Sequence, residues 1–429
     1  MTINIITLGC SKNTVDSEVL ASNYQNQGYT VLFEADAESD IVLINTCSFI
    51  QDAKEQSIEE IFNQIERKNN GLVKKVFVMG CLAQRYKEDL QQMLPEVDGI
   101  FSFAELPKML HIDKFNLLEK ADRLLSTPKH YAYLKVSEGC DRQCAFCAIP
   151  MIRGKQVSKP IAQLHDEAQL LVSKGVKEIM LIAQDLSSYG TDLAKKQLLP
   201  DLLASLVQIK GLEWIRLHYL FPNNFPYEIL DLMPHHPQIC KYLDIPLQHI
   251  SENVLRSMNR PGNPEQLYKL IATIREKVPG IAFRTTMLSG FPTETKANHT
   301  ELMQFIKDIR FERLGVFSYS QEEDTPAFSF GDPIKKAEKK KRYQEIMSLQ
   351  ESISFENNQN KIGSEWKVII DAEEEEYYLG RSEFDSPEVD NLVLIDKKRP
   401  LEIGNFYTVR IEKADAYDLF GTAIKVDIT

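Results

Sequence analysis

The sequence of 429 residues has no apolar run long enough to span a bilayer. Its opening, "MTINIITLGC", lacks the charged start of a secretion signal. A cytoplasmic location is therefore the expectation, with no membrane partner. There is no low-complexity tract and no internal repeat, which sets aside disordered and repeat architectures. Positive charge is in deficit: 50 Lys and Arg against 62 Asp and Glu leave a net charge of −12. Phosphate contacts need clustered cations, so stable nucleic-acid binding is not expected. Cysteine is scarce, at seven residues. In a reducing compartment these are not expected to form a disulfide framework, which leaves metal binding or catalysis as their use. The first strand-like run, "NIITLG", also lacks the glycine-rich loop of a nucleotide site, and Cys10 stands in its place.

What is present is ordinary globular material, 43% apolar and 26% charged. The length exceeds what one core usually holds, so two or three domains are expected. Up to residue 115, short β-rich runs ("NIITLG", "YTVLFEA", "IVLINT", "KKVFVMG") alternate with helical patterns. That alternation predicts a doubly wound parallel sheet covered on both faces. Residues 116–130 read as a linker. From 131 to 361, six further strand candidates interleaved with helices predict a partial βα-barrel, ending in a lysine-rich helix whose charge run reads as a solvated face. Residues 362–429 change style, with short β runs separated by turns, which predicts a small antiparallel, OB-like barrel. This last segment has 16 acidic and 8 basic residues, a net of −8.

The strongest motif is "EGCDRQCAFCAIP", which spaces Cys140, Cys144 and Cys147 as C-x3-C-x2-C at the end of the first barrel strand. Three thiolates so close can hold three irons of a 4Fe-4S cluster and leave the fourth open to a small molecule. Zinc is the competing reading, but it normally takes four ligands, and His130 is wrongly spaced to be the fourth. Three more cysteines end strands of the first domain: Cys10, Cys47 and Cys81. In an open parallel sheet the carboxyl ends of the strands form the ligand crevice. The fold would therefore collect these distant residues at one rim, as a second cluster with an open iron. Each could instead be a small buried hydrophobe. Cys240 has no partner in spacing and reads as a buried structural thiol.

The C-x3-C-x2-C spacing with Phe146 inside it resembles the radical SAM superfamily. The whole pattern resembles the radical SAM methylthiotransferase family, on "LGCSKN", "INTCSF", "GCLAQRY", "SEGCDRQCAFCAIP", "RGKQVSK", "IAQDLSSYG", "DIPLQH", "RPG" and "GFPTET". The terminal segment resembles the TRAM domain of those enzymes. The resemblance implies two 4Fe-4S clusters, the central one binding S-adenosylmethionine (SAM) at its open iron, and two SAM molecules, one giving methyl to sulfur and one giving a radical. It also implies that Phe146, inside the motif, and Glu294, in the loop after the fifth barrel strand, lie near the cofactor. Gln184 and Asp185 end the second barrel strand and Gln248 with His249 the fourth, which places all four to face it. Arg153 is a candidate partner for a carboxylate of cofactor or substrate. Thr293 and Lys159 depart from the usual wording, which has glycine and arginine there.

Within the family the motif wording resembles the RimO-type branch, which methylthiolates the β-carbon of an aspartate in ribosomal protein uS12. The branches that modify isopentenyl- or threonylcarbamoyl-adenosine in tRNA are the alternative. An acidic terminal barrel suits a basic ribosomal protein and repels phosphate. The β C–H of an aspartate is not acidic enough for a side-chain base, so the chemistry needs a radical and no catalytic acid or base for hydrogen abstraction. Both clusters would then face one cavity at the domain junction. An electron donor such as flavodoxin or ferredoxin is an expected partner.

Overall fold

The computed structural model describes residues 1–118 and 122–426. Residues 119–121, inside the expected linker, and 427–429, at the end of the terminal barrel, lie outside the described residues. The first sheet has five parallel strands in the order β2-β1-β3-β4-β5. They are β1 (Thr2–Thr7), β2 (Thr30–Phe33), β3 (Ser39–Thr46), β4 (Val73–Gly80) and β5 (Gly99–Ile100). The run "SDIVLINT" of β3 is buried almost throughout, as a central strand covered on both faces must be. The register aligns the strand ends. Thr7 pairs with Asn45, and Thr46 with Gly80, so β1, β3 and β4 end at one level.

Helices α1 (Ser11–Asn26), α2 (Gln51–Asn69) and α3 (Cys81–Met93) cover this sheet. In α2 the buried Ser57, Ile61 and Ile65 recur every four residues, the stripe of a helix with one wet face. The first helix differs, because it buries Asn13, Asp16, Ser17 and Glu18 along with Val15, Val19 and Leu20. It has two neighbours. Leu20, Ala21 and Tyr24 pack on the first sheet. Val15 and Val19 pack against Tyr131, Tyr133, Met180 and Ile182 of the next domain.

That domain holds six parallel strands in the order β13-β12-β11-β10-β9-β6. They are β6 (Tyr131–Lys135), β9 (Glu178–Ile182), β10 (Trp214–Leu217), β11 (Ile239–Asp244), β12 (Ala282–Ser289) and β13 (Arg313–Ser318). A two-stranded antiparallel ladder, β7 (Ser137–Glu138) with β8 (Val157–Ser158), brackets the loop that bears the three motif cysteines. The expected linker is packed where it is described: Arg123 is fully buried and ion-paired with Glu18 and Glu167. Within the long helix Lys336–Gln359, the charge run is only partly a solvated face. Lys339 and Arg342 point inward, Lys339 onto the Tyr319 carbonyl (2.7 Å) and Arg342 onto Glu294 (2.9 Å).

The last sheet closes into a five-stranded barrel of β14 (Glu365–Glu373), β15 (Tyr377–Ser382), β16 (Val393–Asp396), β17 (Phe406–Ala414) and β18 (Leu419–Val426). Its pairs are antiparallel except β16 with β18, which run parallel because β17 lies on the far side, against β14. Segment 381–390 of this domain is inserted under the central sheet, at the amino ends of its strands. Glu178 there receives both Arg216 and Arg381 at 2.8 Å, Arg313 pairs with Asp385, and Tyr242 donates to Asp390 at 2.7 Å. Cys240 is fully buried at this junction, among Trp214, Tyr242 and Phe406. No helix among the described residues is long and apolar enough to cross a membrane.

Arg381 is buried between Glu178 and Asp371. Breaking a buried pair from one side costs about 3–5 kcal/mol because the other charge stays buried. Arg381→Met is expected to destabilise the junction by about that amount, read as a lower urea midpoint for the terminal barrel. An unchanged midpoint would show that this ion pair does not hold the two domains together.

Candidate functional site

The aligned strand ends of the first sheet bring three cysteines to one rim. Cys10 precedes the first residue of α1, Cys47 directly follows β3, and Cys81 is the first residue of α3. Two glycines allow the approach. Gly9 has φ +97°, and a Cβ there would lie 2.6 Å from the Cβ of Cys47 and 2.8 Å from its sulfur. Gly80 has φ +99°, and a Cβ there would meet the Thr46 backbone at 2.5 Å. No side chain other than hydrogen fits either position. Asn13 ties the rim together, donating to the carbonyls of Leu8 (2.8 Å) and Thr46 (3.1 Å).

The second triad sits beyond the carboxyl end of β6. Gly139, at φ +76°, lets the motif loop close on the chain opposite, since a Cβ there would lie 2.2 Å from the Lys155 carbonyl oxygen. The loop is then held by the Cys140 N–H on the Gly154 carbonyl and by the Ala145 N–H on the Met258 carbonyl. Phe146 packs into the cluster of Ala145, Met258, Leu288 and Phe291 beside the cysteines.

Burial pushes the thiols of Cys47 and Cys147 up to about 12 and that of Cys140 up to about 11. As bare groups they hold their protons at neutral pH, so a metal must displace protons to bind them. Cations stand ready at both triads. Arg153 Nη2 lies 3.4 Å from the Cys81 sulfur, and Arg260 Nη1 lies 3.4 Å from the Cys144 sulfur. Among the described residues, no three His, Cys, Asp or Glu side chains meet as a site for a single ion. A cubane takes its thiolates at separate corners, so ligands to one need not converge on a point.

Beside the second triad, buried polar atoms lack partners. Gln184 and Asp185 follow β9; Gln184 donates to Glu138 at 2.6 Å and Asp185 accepts from Arg142 at 2.7 Å, while Gln184 Oε1 and Asp185 Oδ1 have none. His249, beyond β11, accepts the Ser251 N–H on Nδ1, so its Nε2 carries the proton, buried and unpartnered. Burial holds its imidazole down to about 4, so it is neutral. Ser289 Oγ, the last residue of β12, is likewise unpartnered. Gln248 has the left-handed φ of +71° and bridges to Met287. Buried polar groups are rarely left unpaired, and several at one strand rim mark where a polar ligand belongs. A cleft of about 840 Å³ opens beside one of them, Asp185, and is lined also by Asp141, Arg142, Asn224 and Phe225.

Two expected residues engage the protein itself. Arg153 pairs with Asp16 (2.6 Å) and Glu138 (3.2 Å), and also donates to Asn13 (2.7 Å). Glu294 accepts from the Gly290 N–H at 2.5 Å and from Arg342 at 2.9 Å. Lys159 is buried on Glu167 at 2.7 Å, and Thr293 Oγ1 is buried without a partner. Asn13, Asp16, Arg142 and Arg260 were not singled out by sequence reasoning. A signal existed for the first two, since α1 has acids and amides where a surface helix would show an apolar stripe.

Residues 2–102 match the family described as uncharacterized protein family UPF0004, residues 134–306 the radical SAM superfamily, and residues 362–424 the TRAM domain. Two relatives named ribosomal protein uS12 methylthiotransferase RimO are each 49% identical and align with 99% of this chain. The protein from Christiangramia forsetii is covered over 94% of its length and that from Cytophaga hutchinsonii over 98%. The chain belongs to the RimO methylthiotransferase family. A further member, from Phocaeicola vulgatus, is 48% identical with 99% of each chain covered. Among solved structures, the radical SAM methyltransferase TsrM from Kitasatospora setae, with cobalamin and a [4Fe-4S] cluster bound, superposes with a TM-score of 0.56. It is 15% identical, with 76% of each chain covered, a likeness of fold. The central domain is thus a radical SAM domain, whose superfamily uses a 4Fe-4S cluster with SAM.

The positive-φ glycines are directly testable. Gly9→Ala and Gly139→Ala are each expected to cost about 1–3 kcal/mol, from strain and from the contacts the new methyl meets. Each should also lower the iron retained after anaerobic reconstitution. Unchanged stability and iron content in both variants would show that the close approach of these loops is not required.

Proposed function

We propose that this protein adds a methylthio group to the β-carbon of an aspartate in ribosomal protein uS12, working in the cytoplasm. The observation that carries this reading is the cysteine triad on the rim of the first sheet, present in addition to the motif triad and joined to the radical SAM domain by Arg153 on Cys81. A radical SAM domain alone would serve many reactions, whereas a sulfur insertion needs a second site facing it.

Cys140, Cys144 and Cys147 would hold the central cluster, and Cys10, Cys47 and Cys81 the second, each leaving one iron without a protein ligand. When bound, the central cluster with SAM supplies a radical able to take hydrogen from an unactivated carbon, and the second cluster carries the sulfur. The chain's own residues bind, orient and exclude water. Gln184 Oε1, Asp185 Oδ1, His249 Nε2 and Ser289 Oγ offer acceptors and donors for the polar groups of SAM. Glu138 and Arg142 fix the first two of these side chains through the other end of each. Phe146 keeps the cysteine loop packed and dry. His249, neutral, offers a proton in a hydrogen bond without adding charge. The exposed run Glu373–Glu376, at the β14–β15 turn, suits a basic ribosomal protein. A flavodoxin- or ferredoxin-type donor would supply electrons.

The test offers SAM and a reductant to the anaerobically reconstituted protein, with either a uS12 loop peptide or tRNA. A methylthio mass gain is expected on the peptide; a gain on tRNA alone would sink the reading. In parallel, Cys144→Ala should reduce 5′-deoxyadenosine release to background. Cys47→Ala should leave that release within about twofold and abolish the methylthio product, a loss of at least about two orders of magnitude. If Cys47→Ala retained the product, the first-sheet triad would not be the sulfur site.

A further inference from the structure

Each cysteine triad has a guanidinium on one of its sulfurs, and both arginines come from the radical SAM domain. Arg153 follows the motif loop, at the end of the short helix Ile149–Arg153. It crosses to the first domain, where its Nη2 reaches Cys81 at 3.4 Å. Arg260 lies beyond β11 and puts Nη1 3.4 Å from Cys144. Neither is free to swing. Arg153 is clamped by Asp16, Glu138 and Asn13 and lies 4.1 Å from the centre of the Phe103 ring. Arg260 donates its other terminal nitrogen to the Pro246 carbonyl at 2.6 Å and lies 4.1 Å from the centre of the Phe221 ring. Arg142, beside Cys140, stands over the same ring at 4.1 Å.

The surroundings of the two guanidiniums differ in charge. Two carboxylates, Asp16 and Glu138, balance Arg153 and its neighbour Lys135. Among the described residues no carboxylate forms an ion pair with Arg260. Each triad therefore has its own nearby cation, reached by different parts of the chain and not shared.

We propose that Arg153 and Arg260 are positioning residues that set the reduction potentials of the two clusters separately. Arg153 acts on the cluster of Cys10, Cys47 and Cys81, and Arg260 on the cluster of Cys140, Cys144 and Cys147. The inference rests on reading both triads as iron–sulfur sites. A reduced cluster carries one more negative charge than an oxidised one. A fixed cation with an N–H aimed at a ligand sulfur stabilises that charge and raises the potential. Cys81 and Cys144, the two sulfurs contacted, are buried, so salt screens the effect much less than at the surface. An arginine acting only as a strut between domains would leave both potentials in place, or would disturb both together.

The experiment is a redox titration of the reconstituted full-length protein, followed by electron paramagnetic resonance. Cys47→Ala and Cys144→Ala backgrounds isolate one cluster's signal at a time. Arg153→Gln is expected to move the potential of the first-domain cluster to more negative values and leave the central one in place. Arg260→Gln should do the reverse. The expected size is about tenfold in the one-electron equilibrium, or about 59 mV. Should Arg153→Gln fail to load its cluster, Arg153→Lys, which keeps the charge but not the fork, gives the measurement. A smaller negative shift confined to the same cluster supports the assignment, and no shift overturns it. Two clusters whose potentials stay fixed, or move together in either variant, overturn the inference alone. Iron and labile sulfide for only one cluster per chain, in the unsubstituted protein, overturn the reading beneath it.

Discussion

Lys135 and Arg153 share two carboxylates, Asp16 and Glu138, at the seam between the first domain and the radical SAM domain. The relation between the two cysteine triads depends on this buried group of four charges. Asp16 belongs to α1, which leads out of the Cys10 loop. Lys135 and Glu138 flank the start of the motif loop, and Arg153 closes it. Burial disfavours the charge on Glu138, but Lys135 and Arg153 outweigh that and hold its carboxyl well below the usual range. The group is neutral overall, so each charge is tolerable only while the other three are in place. An apolar contact of the same area would allow sliding. A lattice of directed ion pairs fixes both the distance and the angle between the domains, and with them the placing of one triad against the other.

Much of this was legible in the sequence. Five of the six strand runs of the radical SAM domain coincide with its strands. The fourth, residues 242–248, overlaps β11 only at residues 242–244, because β11 starts three residues earlier at Ile239 and its carboxyl end gives way to the rim loop. The three strand-end cysteines could be collected on one rim from topology alone, since a parallel sheet sends all its carboxyl ends the same way. What could not be read was long-range and polar. That Arg153 faces Asp16 and Glu138 depends on the docking of two domains, which no local period encodes. The same holds for Glu294, whose partner Arg342 lies in a helix that reads as a lysine-rich surface. There the run "KKAEKKKRYQE" hides two inward-facing cations among outward-facing ones. Glycine was the signal left unused. Cys10, Cys81 and Cys140 are each preceded by one, and at each the structure requires a positive φ and a close approach.

The terminal barrel shows how a charge count can mislead about a surface. Its net of −8 reads as one acidic face. Yet Asp371, Asp385 and Asp390 are turned onto Arg381, Arg313 and Arg284, and Glu388 receives the hydroxyls of Tyr131 and Tyr133. The three aspartates are turned inward and present nothing to a partner, while Glu388 stays exposed with its carboxylate tied to the two hydroxyls. The longest run of acids left facing solvent, where it can meet a basic protein, is the Glu373–Glu376 turn, where all four residues are exposed; Glu365, Glu388, Glu402 and Glu412 are exposed singly. The electrostatic case for a ribosomal protein over tRNA survives, but it rests on a short turn and not on a whole domain.

The two triads also differ in how folding makes them. Cys140, Cys144 and Cys147 lie within eight residues, so closing their loop costs little chain entropy; the β7–β8 ladder and Gly139 close it, and the Met258 carbonyl holds it through the Ala145 N–H. Cys10, Cys47 and Cys81 come from three strands, and their site exists only when β1, β3 and β4 are in register. A shift of one residue in that register would turn the side chains at the strand ends to the opposite face and scatter the sulfurs. Any metal held by the first triad would therefore be linked to the completed sheet, and through Arg153 to the docked pair of domains, whereas the second triad gathers its sulfurs within one short loop. Of the two triads, the one on the first sheet is thus the more dependent on the whole fold.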